Sequence, residues 1–149
     1  MTVIVLDACA MLAVLSDESG ADIVENAYDK AASGEVVLMM HSVNLLEVYY
    51  ELFRAYGKER ADEIHDEIIR LPIRIVHEIS DDIFMTAGRL KASYKISLAD
   101  SFALAQALAI GGELLTSDHH EFGPIEGMSQ LFSIGFVEFV DRMFMKTAV

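Results

Sequence analysis

Short apolar runs of strand length alternate with helix-length segments along this chain, and that alternation most constrains its fold. Residues 3–6 (Val-Ile-Val-Leu) are apolar and mostly β-branched, the pattern of a strand buried on both faces. They end in Asp7, and a small-residue helical pattern over 8–15 follows at once. Further helices are expected over 22–32, closed by Gly34, and over 43–56, stopped by Gly57. Others are expected over 59–70, broken by Pro72, over 81–94, and over 98–110, which is nearly all apolar and closed by Gly111-Gly112. The remaining strands are expected over 36–40, 73–76, 114–116 and 136–140. Strands alternating with helices predict an α/β protein whose mostly parallel sheet is covered on both faces. A length of 149 residues, with no internal repeat, low-complexity run or linker, predicts a single domain over 1–149.

Composition narrows the function classes. Apolar residues make up 53% of the chain, which excludes disorder. Eleven Lys and Arg stand against 24 Asp and Glu, leaving a net charge of −13. Such a surface repels phosphate backbones and argues against a non-specific cationic nucleic-acid binder, though not against an enzyme that reaches phosphate through a bound metal. The single cysteine, Cys9, makes neither an internal disulfide nor a zinc cluster and fits a reducing cytoplasm. No basic leader precedes residue 3, and the longest apolar stretch, over 102–110, is too short to span a bilayer. The expectation is a soluble cytoplasmic domain with no membrane partner.

Four acids stand out against this background. In parallel α/β sheets ligands bind beyond the carboxyl ends of strands. Asp7 ends the first strand and Asp118 follows the strand over 114–116, so both belong on one rim. Glu47 shares a helix face with Val43, Leu46 and Tyr50, although Glu is seldom buried unless paired or bound to metal. Asp100 opens the apolar helix, with Ala103, Leu104 and Ala107 on its own face. Each acid also has a bland explanation. Asp7 and Asp118 suit helix or turn capping, Glu47 suits a boundary position reaching solvent or Arg54, and Ser97-Leu98-Ala99-Asp100 fits a capping box. The combination is harder to explain blandly than any member of it.

The segments Val5-Leu6-Asp7, Asn44-Leu45-Leu46-Glu47-Val48, Ser97-Leu98-Ala99-Asp100 and Leu115-Thr116-Ser117-Asp118-His119-His120-Glu121-Phe122 resemble the four acidic motifs of PIN-domain ribonucleases. The similarity is greatest to the VapC-like toxins of toxin–antitoxin pairs, in order and spacing over nearly the whole chain. The resemblance implies a PIN-like three-layer α/β/α sandwich with about five strands. It also implies a Mg²⁺ or Mn²⁺ site and hydrolysis of RNA phosphodiester bonds to 5′-phosphate and 3′-hydroxyl ends. Asp7, Glu47, Asp100 and Asp118 become the candidate catalytic residues and metal ligands by motif match. A homodimer and a protein antitoxin are implied in the same way. One position departs from the family: the Ser, Thr or Asn often found two residues after the first Asp is here Cys9, whose thiol is a poor partner for hard Mg²⁺.

Carboxylates suit this chemistry because hard divalent ions prefer oxygen ligands. Clustered acids repel one another, and each unit of pKa shift costs about 1.4 kcal/mol, so a bound cation favours the folded state. The ion then orients a water for in-line attack at phosphorus and stabilises the leaving oxygen. Thr116 and Ser117 offer hydroxyls to orient Asp118, or simply serve a turn. His119 and His120 allow a transition-metal or general-base alternative, although adjacent side chains diverge; His41, His65 and His77 show no ligand spacing. Arg89, Lys91 and Lys95 form either a solvated helix face or a local strip for an RNA backbone. Tyr49, Tyr50, Phe53 and Tyr56, and the oily stretch from Phe136 to Met145, are either core or a seam for a second copy or an inhibitory helix.

Other classes fit less well. Haloacid-dehalogenase phosphatases need a second Asp where Cys9 stands, no strand ends in the Lys of a receiver domain, and no Gly-rich phosphate loop follows any strand. The remaining rival is a catalytically weak PIN-like module that binds RNA or protein, favoured by Cys9 and the acidity and opposed by the complete acidic quartet.

Overall fold

A computed structural model describes residues 1–18 and 20–117, together with the backbone of 136–139. Strands β1 (Thr2–Leu6), β2 (Val36–His41), β3 (Arg74–Val76), β4 (Glu113–Thr116) and β5 (Phe136–Phe139) form one sheet in the order β3-β2-β1-β4-β5. Every neighbouring pair is parallel. The helices among the described residues are α1 (Ala8–Leu15), α2 (Ala21–Ala32), α3 (Ser42–Tyr56), α4 (Lys58–Ile68), α5 (Asp81–Ser93) and α6 (Leu98–Ile110). The elements follow the expected order, with ends displaced by at most two residues. The largest displacement is at α4, which stops at Ile68 because Pro72 excludes helical backbone at the residue before it.

Strand alternation divides the interior into two cores. Ile4, Leu6, Leu38, Met40 and Leu115 point to one face, where Met11, Val24, Ala61, Ile64 and Ile68 of α1, α2 and α4 cover them. Val5, Met39 and Leu114 point to the other, beneath Ile83, Leu90, Phe102, Ala103 and Leu104 of α5 and α6. The result is the expected three-layer α/β/α sandwich. Helix α3 serves both layers: Leu45, Val48 and Leu52 join the first core, while Val43 packs against the second. Helix α6 is buried continuously from Ala99 to Ala107, as a helix apolar on all sides must be.

The chain's direction through α6 fixes where the acids lie. Gly111 ends the helix at φ 61°, a left-handed position glycine occupies without strain. Gly112 then passes so close to the start of β1 that a Cβ on it would stand 2.7 Å from the Val3 carbonyl oxygen. The C-terminal end of α6 is therefore at the amino edge of the sheet. Thirteen residues span about 20 Å, roughly the length of the strands, so the first turn of α6 is back at the carboxyl edge.

Candidate active site

Asp7 stands where β1 finishes, fully buried, and caps α1: its Oδ1 accepts the backbone N–H of Ala10 at 2.8 Å. Leu6 pairs with Leu115 across the β1–β4 ladder, and Asp7 N–H donates to the Leu115 carbonyl at 3.3 Å. That register sets Thr116 beside Asp7, and the Thr116 hydroxyl donates to Asp7 Oδ2. The sequence suggested Asp118 as the acid Thr116 might orient; the structure gives its hydroxyl to Asp7. Both oxygens of this carboxylate are thus held in place, and the helix dipole of α1 favours its negative charge.

Asp100 lies in the first turn of α6 on the same rim, 3% exposed. Ser97 is the N-cap, its Oγ accepting Asp100 N–H at 3.1 Å, as the capping-box reading expected. The cap uses the backbone N–H of Asp100. Glu47 sits about one and a half turns into α3, which leaves the carboxyl end of β2 directly. It is half-buried, with Oε2 shielded from solvent. Arg54, one of the alternatives weighed for Glu47, bonds Glu51 at 3.0 Å and lies over the Tyr50 ring at 4.8 Å. Burial and the carboxylates of Glu47 and Glu51 push the Tyr50 hydroxyl above its usual pKa. Asp118, His119 and His120 lie outside the described residues.

Two neighbours had no functional reading in the sequence. His41, the last residue of β2, falls beside Asp7 when the β1–β2 register is continued. It is fully buried and caps α3, its Nδ1 accepting Val43 N–H at 3.1 Å, while Nε2 bonds the Glu78 carbonyl at 3.2 Å. Its ring lies 4.9 Å from that of Phe102. Burial lowers its pKa, and because Nδ1 accepts from Val43, Nε2 carries the proton donated to the Glu78 carbonyl. Asn44, three residues before Glu47, is also fully buried. A polar residue inside an apolar helical run, one turn from an acid, was the available signal for it.

Carboxylate oxygens are the donors that Mg²⁺ and Mn²⁺ take, and Asp7 and Asp100 offer them from a buried rim. Among the described residues no group of three or more His, Cys, Asp or Glu side chains is placed to hold a metal ion. Asp7, Glu47 and Asp100 are thus not brought together as such a group, and Asp118 lies outside the described residues. Cys9, half-buried in the first turn of α1, occupies the departing position. Grooves among the described residues include one of about 480 Å³ lined by Thr2, Val3, Ile110 and Glu113, one of about 450 Å³ by Asp22, Asn26, Lys30 and Glu113, and one of about 410 Å³ by Leu45, Tyr49, Asp62, His65 and His77.

The fold and the rim define a PIN domain, and the chain belongs to the PIN domain family, which matches residues 4–123. Solved structures with the same fold include a toxin–antitoxin complex from Klebsiella pneumoniae (20% identity, TM-score 0.63, 92% of this chain and 97% of that one). VapBC2 from Rickettsia felis, bound to a DNA fragment from its promoter, matches at 19% identity and TM-score 0.68, covering 93% and 98%. VapC20 from Mycobacterium tuberculosis, described as a sarcin–ricin loop cleaving toxin, matches at 19% identity and TM-score 0.62, covering 82% and 94%. No curated protein sequence matches the chain. No helix among the described residues is long and apolar enough to cross a membrane.

Proposed function

We propose that this PIN domain is a metal-dependent endoribonuclease acting in the cytoplasm as the toxin of a toxin–antitoxin pair. The observation that supports the reading is the burial of two carboxylates, Asp7 at the end of β1 and Asp100 in the first turn of α6, in a PIN fold. Asp7, Glu47, Asp100 and Asp118 would hold Mg²⁺ or Mn²⁺. When bound, the cation supplies positive charge that offsets the acids' repulsion and polarises the water and phosphate of hydrolysis. Asp7 enters this arrangement with its carboxylate plane set by Ala10 and Thr116, so little side-chain freedom is lost on binding. Arg89, Lys91 and Lys95 are exposed, near the end of α5 that feeds the rim through 94–97. They give an acidic protein a local cationic strip for an RNA backbone.

Partner surfaces follow from α3. Leu46, Tyr50, Phe53 and Tyr56 are 59%, 38%, 46% and 63% exposed, more apolar surface than a lone chain commonly leaves on one helix. Relatives of the same fold occur in toxin–antitoxin complexes, which supports an antitoxin partner, and we assign the α3 face to a homodimer.

The test is cleavage of mixed RNA substrates by the parent and by Asp7→Asn, each with Mg²⁺, Mn²⁺ or EDTA. Asn retains capping ability while removing the charge. Cleavage that needs the ion and is lost in the variant supports the reading; cleavage in EDTA, or undiminished in Asp7→Asn, overturns it. The half-buried Cys9 and the net charge of −13 favour the second reading, a catalytically weak binding module. Mn²⁺ at one hundred times its dissociation constant should add about 2.7 kcal/mol of stability in either case. Stabilisation without cleavage selects the module.

A further inference from the structure

Among the described residues neither Nδ2 nor Oδ1 of Asn44 has a hydrogen-bond partner, although the side chain is fully buried. Folded proteins rarely leave both ends of a buried amide unsatisfied, because each loses its bonds to water and gains nothing in return. The helix geometry shows what the amide faces. At about 100° per residue, Asn44 lies roughly 60° around α3 from Glu47 and one turn nearer the helix start. Val43, on one side of that sector, packs against the core beneath α5 and α6; Leu45 and Val48, on the other, join the core beneath α1, α2 and α4. Asn44 sits between the two cores in the first turn of α3, which leaves β2 at His41, the residue beside Asp7 in the continued register. An aliphatic side chain would serve either core there, whereas an amide serves neither.

We propose that Asn44 is a positioning residue whose carboxamide hydrogen-bonds the hydration shell of the divalent cation held by the acidic rim, an inference that rests on the metal-nuclease reading. Mg²⁺ and Mn²⁺ bound by few carboxylates keep several waters, whose polarised O–H groups are strong donors for Oδ1. Nδ2, without a partner among the described residues, is the donor left to face a carboxylate oxygen of the rim once the ion is in place. An amide does this without a further negative charge among acids that already repel, and without a proton to lose. Direct contact with an RNA phosphate is disfavoured by the complete burial of the side chain.

The test measures Mn²⁺ binding by calorimetry without RNA, and thermal unfolding in EDTA, for the parent, Asn44→Leu, Asn44→Ala and Asp7→Asn. Leu keeps the branch point and heavy-atom count of Asn44 with somewhat greater bulk, and removes its polarity. The expected result is an Asn44→Leu protein at least as heat-stable as the parent in EDTA, yet binding Mn²⁺ about tenfold more weakly, the usual consequence of losing a group that orients a metal shell. Should Leu prevent folding, Asn44→Ala is read in the same way. Unchanged Mn²⁺ affinity in the folded Asn44 variants, with affinity lost in Asp7→Asn, overturns this proposal alone. A parent that binds no Mn²⁺ overturns the metal reading and this proposal with it.

Discussion

Thr116 and Asp7 lie 109 positions apart in the chain, yet the hydroxyl of one donates to the carboxylate of the other at the end of the β1–β4 ladder. This bond joins a strand end to the N-cap of α1, so it supports the sheet, the helix and the candidate site together. Thr116→Val keeps the shape and removes the donor. It should destabilise the protein by about 1.5–3 kcal/mol, the range for hydrogen bonds to charged groups, measured by urea denaturation. Thr116→Ser should recover most of that loss.

His41 gives a pH dependence with a definite sign. Its folded pKa is depressed by burial below an unfolded value of about 6.5. The folded state therefore takes up its proton less readily than the unfolded one, so stability is complete above about pH 6.5 and falls as the pH drops through the folded pKa. Protonation also removes the acceptor at Nδ1 that caps α3. Thermal unfolding between pH 7.5 and 5 should show a steeper decline in the parent than in His41→Asn, which keeps a capping side chain without titrating.

Gly112 is required by close approach. A methyl group there meets the Val3 carbonyl at 2.7 Å, backbone that cannot rotate away. Gly112→Ala should cost about 1–3 kcal/mol, the range for overpacked sites. Gly88, whose Cβ position is open, should accept Ala with no loss or a small gain, since it lies within α5. Chemical denaturation of the two variants side by side checks both.

The exposed face of α3 makes an assembly prediction. Phe53→Ser with Tyr56→Ser removes two side chains that the lone chain leaves largely in water, so the stability of the folded chain should change little. If this face joins two copies, sedimentation equilibrium should report one chain per particle for the double variant and two for the parent. An unchanged mass for the variant rejects the assignment.

Much of the fold was legible because its signals are local. The β-branched run before Asp7, the continuous apolarity of 98–110, and the stops at Gly57, Gly111 and Pro72 each act within a few residues. The two-sided burial of β1 was likewise visible in its composition. What was hidden depends on register. No local pattern says that Leu6 pairs with Leu115, so Thr116 was read against its neighbour Asp118 rather than against Asp7. The same limit applied to α3, where the aromatic residues are not equivalent. Tyr49 packs on the core and bonds Asp62 at 2.6 Å, whereas Tyr50, Phe53 and Tyr56 face outward. Arg54 pairs with Glu51 because a spacing of three on an exposed helix favours that pair over a spacing of seven to Glu47.

Asp7 holds both the N-cap of α1 and the Thr116 hydroxyl, and under the proposed nuclease function this restricts how the gene can lose activity. Most replacements would strip α1 of its cap and β4 of its Thr116 anchor, so the damaged chains would tend to be degraded rather than persist as inert protein. Asn keeps the cap and forfeits the charge. Among inactive alleles recovered from growing cells as full-length, soluble product, Asn should therefore be over-represented at codon 7, whereas codon 47, on a half-buried helix face with no capping duty, should tolerate a broad spectrum.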